Sequence, residues 1–329
     1  MTLAGAGFSP SRRRVVSGAA LALLVGGCAP LVPQTVALRT GWPEGVPRTV
    51  ELASVPFFPD QEYQCGPAAL ATVLAASGAP VAMKALVDEV WLPSRRGSLQ
   101  LEMLAAPRRH GRISYRLAPA YGDLLREVAA GNPVIVLQDV GLLGAQWHYA
   151  VVNGFDYESG TIFLRSGTER RLELPFTAFE RSWMKGQYWA MVVLQPDRIA
   201  ATADEQRWLE SVAALARAGG PEVGVTAYQA ALKRWPDSLP AAIGLANHLH
   251  TQGQLGRAAA VLTEARQRHP QSIIVLNNLA QTLSDQGRHA EALAVIDQAM
   301  DPASPFAGDV RATRQLILER LRGRSAAAR

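Results

Sequence analysis

Hydrophobic positions change rhythm along the chain. Between residues 48 and 196 short apolar runs of two kinds follow one another. "RTVELASV" alternates as a strand does, and "CGPAALATVLAASG" sets Leu70, Val73, Leu74 and Ser77 at helical spacing before Gly78. "VAMKALVDEVWL", "SLQLEMLAAPRRHG" and "AYGDLLREVAAG" predict three more helices. "NPVIVLQDV" predicts a strand opening at a proline. "HYAVVNGFD" and "TIFLRS" predict a hairpin about "YESG". "PFTAFERSWM" follows as a short helix and "YWAMVVL" as a last strand. Helices come first and an antiparallel sheet second, so residues 48–196 are expected to form one α+β domain.

From about residue 203 the strand signals stop and alanine-rich helical spacing takes over. Two segments coincide at a period of 34, pairing Leu245 with Leu279, Ala246 with Ala280, Leu249 with Leu283, Gly253 with Gly287 and Ala258 with Ala292. Pro236 and Pro270 keep the same interval, and Leu215, Gly219 and Ala231 fit an earlier copy. This helix–turn–helix unit, with glycine in its turn and small residues where helices cross, is similar to the tetratricopeptide repeat. Three copies and a final helix, "VRATRQLILERLRG", predict an all-α solenoid over 203–325. The resemblance implies a concave groove for a protein substrate or partner.

The N-terminus has a different pattern. Arg12, Arg13 and Arg14 precede an apolar or small stretch from Val15 to Gly27, too short to span a bilayer but fitting a signal peptide over 1–27. "LVGGC" resembles the lipobox of bacterial lipoproteins. The resemblance implies that Cys28 is acylated and anchors the protein to a membrane, facing the periplasm. Ala29 in place of an aspartate favours the outer membrane. "Ser11-Arg12-Arg13" resembles a twin-arginine signal, but Val15-Val16 departs from it and leaves the export route open. Residues 28–47, rich in proline and without periodicity, read as a tether.

Composition narrows the function. The 329 residues suit two domains, with 48% hydrophobic and 19% charged residues. Three of the five net positive charges are the leader arginines, so nothing points to nucleic acid. There is no GxxxxGK[ST] loop for ATP, and no Cys/His cluster has metal-ligand spacing, so neither cofactor nor metal is expected. The chain has two cysteines. If Cys28 carries lipid, Cys65 is an unpaired thiol in an oxidising compartment, where cysteines ordinarily pair.

Cys65 stands just before a helix. The first helical turn stabilises a thiolate through its unpaired N–H groups and positive dipole end. Gly66 would let a substrate backbone approach, and Pro67 suits the first turn. Such a nucleophile needs a base. Of the histidines between Cys65 and the repeats, His110 in "RRHGR" reads as a helix-end cap, whereas His148 opens a buried strand. "DQEYQCGPAALATVL", "GNPVIVLQ" and "WHYAVVNGFD" together resemble the papain-like cysteine peptidases that process bacteriocins at double-glycine leaders. The resemblance covers about 48–196. It implies Cys65 as nucleophile, His148 as general base and Gln61 as oxyanion donor, with the Cys65 amide as the second donor. Gln61 is nearer the cysteine than usual, and Gln64 is adjacent to it. The family's acid, an aspartate closing the strand after the histidine strand, is missing. Folding the hairpin puts Ser166 in that place and Asp156 at the far end.

The expected activity is thus peptide-bond hydrolysis by a lipid-anchored cysteine peptidase. Two alternatives stand beside it. One is acyl transfer or deamidation on the same fold. The other is a non-catalytic binding lipoprotein whose repeats do the work.

Overall fold

The computed structural model describes residues 32–60, 64–141 and 143–327; Cys28 and Gln61 lie outside them. The first domain holds α1 (Pro33–Thr40), β1 (Thr49–Glu51), α2 (Cys65–Ala76), α3 (Met83–Val90), α4 (Gln100–Arg109), β2 (Ile113–Arg116), α5 (Tyr121–Ala129), β3 (Val134–Asp139), β4 (Trp147–Asp156), β5 (Thr161–Ser166), β6 (Glu169–Pro175), α6 (Phe176–Lys185) and β7 (Ala190–Leu194). The strands form one sheet in the order β2-β7-β3-β4-β5-β6, with β1 against the far end of β4. Every pairing is antiparallel.

Alternation along the central strands divides the core in two. Ile135, Tyr149, Val151, Met191 and Val193 pack with Leu70, Val73, Leu74, Leu86 and Met103 from α2, α3 and α4. Val134, Val136, Ala150, Val152 and Val192 pack on the other face with Leu124, Phe179 and Trp183 from α5 and α6. Helix α2 is buried from Gly66 to Leu74, so tertiary packing rather than an apolar stripe holds it.

Two strands escape the sequence pattern. β2 is four residues long and sits between a helix end and a loop. β6, "ERRLELP", is a mostly exposed edge strand rich in charge. It is held by pairing with β5 and by Arg171, which bonds Glu51 and lies 4.1 Å from the Phe163 ring centre.

The proline-rich segment expected to be a tether contains α1, docked on the domain. Pro33 suits its first turn, and the buried Glu180 carboxylate on α6 accepts from the backbone N–H groups of Gln34 (2.9 Å) and Thr35 (2.6 Å). The Gln34 side chain in turn accepts from the Tyr121 N–H, and Leu38 enters the core. The cap comes from a residue 145 positions away, which local pattern does not reveal.

The second domain follows as α7 (Glu205–Ala218), α8 (Pro221–Arg234), α9 (Leu239–Thr251), α10 (Leu255–Arg268), α11 (Ile273–Asp285), α12 (His289–Ile296) and α13 (Ala307–Ala327). The period of 34 recurs in its joints. Ser238 and Ser272 cap α9 and α11, and Gly253 and Gly287 close the following turns at φ of 72° and 79°. The two domains share one core. Tyr115 of β2 stacks 5.3 Å from Trp208 of α7, and Val212, Leu215 and Tyr228 continue the same cluster. Buried Glu127 pins the connection by accepting from the Thr202 N–H and hydroxyl, each at 2.7 Å.

Candidate active site

Cys65 is the first residue of α2, preceded by Gln64, whose side chain makes no cap hydrogen bond. The N–H groups of the first turn therefore remain available. The backbone N–H groups of Tyr149, Gly66 and Cys65 itself favour the thiolate, but burial outweighs them and pushes the thiol above its ordinary pKa, with Asp60 adding to the rise.

Gly66 has a different task from the one its sequence suggests. A Cβ there would stand 2.4 Å from Ser98 Oγ and 2.7 Å from Ser98 Cβ. The glycine thus admits Ser98 against the base of α2 rather than a substrate backbone. Ser98 Oγ is buried with no hydrogen-bond partner among the described residues, and Tyr149 donates to the Ser98 carbonyl at 3.3 Å.

His148 lies near the start of β4. Its Nε2 is 2.9 Å from Ser166 Oγ at the end of β5, so the hairpin delivers the hydroxyl that its sequence implied. With Nε2 engaged, Nδ1 is the ring nitrogen left for chemistry. Burial lowers the His148 pKa, and the Asp60 charge opposes that. Near neutral pH the resting pair is thus a neutral thiol beside a neutral imidazole.

Asp60 is the residue that sequence reasoning missed. It lies five positions before the cysteine in "PDQEYQC" and was passed over in favour of Gln61. Its N–H donates to the Gly167 carbonyl at 3.1 Å, which ties it to the turn after β5. Upstream, the buried Arg165 guanidinium donates to the carbonyls of Val55 (3.2 Å) and Ala53 (3.3 Å) and fixes the approach of this segment. The ligand-capable atoms of Asp60, Cys65 and His148 all lie within 4.8 Å of one another. The carboxylate makes no hydrogen bond or ion pair among the described residues. A negative charge therefore stands at the pair although the strand-end aspartate is absent.

The pair faces a cleft of about 1060 Å³, lined by Arg95, Ser98, Trp147, Lys185 and Gln187 among others. Lys185 is 3.3 Å from Asp139. Trp147 is 53% exposed, and Leu99 at 43% gives the opening a second apolar edge. Other sequence candidates lie elsewhere. His110 ends α4 and bonds Glu89 at 2.9 Å, and Asp156 accepts from Thr49 at the far end of β4.

Residues 45–191 match the Peptidase_C39 like family. Residues 210–273 and 249–305 each match the tetratricopeptide repeat. The chain carries a C39-like peptidase domain followed by tetratricopeptide repeats. No curated protein matches it significantly. Among solved structures it is similar to a protein of Bacillus anthracis described as a C39-like peptidase, at 17% identity and a TM-score of 0.39. That match covers 45% of this chain and 98% of the other. It is also similar to a double glycine motif protease from an AMS/PCAT transporter, solved with the leader peptide. There the identity is 22% and the TM-score 0.33, with 43% and 91% of the chains covered. The peptidase domain of Streptococcus ComA, a bi-functional ABC transporter of a quorum sensing pathway, gives 17% and 0.34, covering 43% and 98%. In the C39-like domain of this chain, β4 and β5 bring His148 and Ser166 together and α2 carries Cys65. Among the described residues no helix is long and apolar enough to cross a membrane.

Proposed function

We propose that this protein is a cysteine peptidase, cleaving peptide bonds at a Cys65–His148 pair. The observation that carries the reading is the approach of the two groups within 4.8 Å at the N-terminus of α2, on the wall of an open cleft. Attack begins from the neutral pair. As Sγ bonds to the peptide carbonyl carbon, His148 takes the thiol proton and the carbonyl oxygen becomes an oxyanion. The Cys65 N–H, with Gln61 as the side-chain donor, stabilises that charge. Collapse breaks the C–N bond, and the imidazolium returns its proton to the leaving amine. Water, deprotonated by His148, then hydrolyses the thioester and restores the thiol. Ser166 orients the ring, and Asp60 supplies charge that favours the transient imidazolium.

The wider setting belongs to the same proposal. Acyl chains on Cys28 hold the enzyme at a membrane facing the periplasm, and the repeats recruit a protein substrate or partner. An irreversible cysteine-peptidase inhibitor followed by peptide mass mapping tests the chemistry. Modification confined to Cys65, and lost on His148→Ala, supports the reading. Absence of modification in the wild-type protein overturns it. Mass analysis of the mature N-terminal peptide checks the acylation of Cys28.

A further inference from the structure

The linear sequence offers no metal-ligand spacing, but the fold assembles a ligand set. A carboxylate, a thiol and an imidazole converge at Asp60, Cys65 and His148 from three separate parts of the chain. Sulfur, nitrogen and oxygen donors in one set of three suit zinc, which takes three protein ligands and keeps a fourth position open. The fourth direction here is the cleft.

Two independent features point the same way. The first is orientation around the site. A ligating imidazole commonly donates its second nitrogen to a hydrogen-bond acceptor, which fixes the ring. His148 Nε2 is held at 2.9 Å by Ser166 Oγ, leaving Nδ1 for a cation. Asp60 is fixed in turn through its N–H to the Gly167 carbonyl. The second feature is the unpartnered carboxylate. Asp60 stands beside the thiol with no hydrogen bond or ion pair among the described residues. A carboxylate facing a thiolate is a repulsive pair, and a divalent cation between them removes the repulsion.

We propose that Asp60, Cys65 and His148 form a binding site for a zinc-type divalent cation, and that its occupancy excludes the thiol's covalent chemistry. On binding, an S–M bond forms, the thiol proton leaves to solvent, and nothing is oxidised or reduced. Ligand atoms around tetrahedral zinc stand about 3.5 Å apart, so a side-chain adjustment of roughly an ångström closes the set. With its sulfur lone pair and the imidazole nitrogen both on the cation, the pair has neither nucleophile nor base. The metal is thus a reversible block, and Asp60 makes the site more than a Cys–His dyad.

Cobalt titration of the chelator-treated full-length protein tests this. Wild-type protein is expected to take up one equivalent of Co²⁺ with a thiolate-to-cobalt charge-transfer band, and Zn²⁺ is expected to displace it. Cys65→Ser loses the band. Asp60→Asn weakens Zn²⁺ binding about 10–100-fold, the scale on which support of a site matters. Alkylation of metal-free Asp60→Asn by iodoacetamide shows that its Cys65 is intact, and added Zn²⁺ protects the wild-type thiol at lower concentration than the variant's. No charge-transfer band in the wild type, or equal Zn²⁺ affinity in Asp60→Asn, overturns the proposal. These readouts need no peptidase activity, so their failure and failure of the proteolytic reading are separate results.

Discussion

Ser166 Oγ and His148 Nε2 stand 2.9 Å apart, joining the ends of two neighbouring strands through a hydroxyl rather than a carboxylate. A neutral hydrogen bond of this kind is worth about 1 kcal/mol. Ser166→Ala is therefore expected to lower kcat/KM about fivefold, with little effect on folding. Ser166→Asp should raise the His148 pKa, because it places a carboxylate on the ring nitrogen. NMR titration of the imidazole checks that shift, and steady-state kinetics check the loss.

The pH dependence of Cys65 alkylation reports the state of the resting pair. Burial raises the thiol above about 8.5 and lowers the imidazole below about 6.5, the ordinary values. Only the thiolate reacts with iodoacetamide, so the rate should climb steadily from pH 7 to beyond 9. A preformed ion pair would instead give a plateau beginning in acid. Asp60→Asn removes a negative charge that raises the thiol, so it should alkylate faster than wild type at pH 7.5.

At Gly66 a methyl group has no room, since Ser98 already fills the space. Gly66→Ala should destabilise the domain by about 1–3 kcal/mol, the usual range for overpacking. Adding Ser98→Gly should restore most of that. Chemical denaturation of the single and double variants measures both effects. A single variant as stable as wild type would contradict the packing described here.

Glu180 holds two N–H groups of α1 with one buried carboxylate. Glu180→Ala should cost about 2–3 kcal/mol, given the strength of hydrogen bonds to charged groups. Amide exchange should then quicken selectively in residues 33–40. Uniform loss of protection would mean that the carboxylate supports the whole domain instead.

Trp208 is fully buried where the repeats meet the sheet. Trp208→Ala should cost about 3–5 kcal/mol, as for large aromatic truncations in cores. Because the cluster crosses the domain boundary, the wild-type protein should unfold in one calorimetric transition and the variant in two.

Much of this architecture was legible in the sequence. The period of 34 found the repeats because glycine turns and serine caps recur wherever helix pairs stack. The strands carrying His148 and Ser166 were legible because alternating apolar residues must face two cores. What escaped depends on distant partners. α1 is stabilised by Glu180, and β6 by its neighbour strand, so neither shows in local pattern. Asp60 escaped for a related reason. Its nearness to His148 arises from a backbone bond to Gly167, over a hundred residues away, and no spacing within "PDQEYQC" encodes that.

The core that runs from Tyr115 through Trp208 into the repeats removes any hinge between them. A protein seated on the repeats would be presented to Cys65 at a fixed span and bearing. Such a geometry works as a ruler. The bond that is cut would be chosen by its distance from the docking segment as much as by the residues flanking it. Lengthening or shortening a substrate between those two points should then move the cleavage position along its chain.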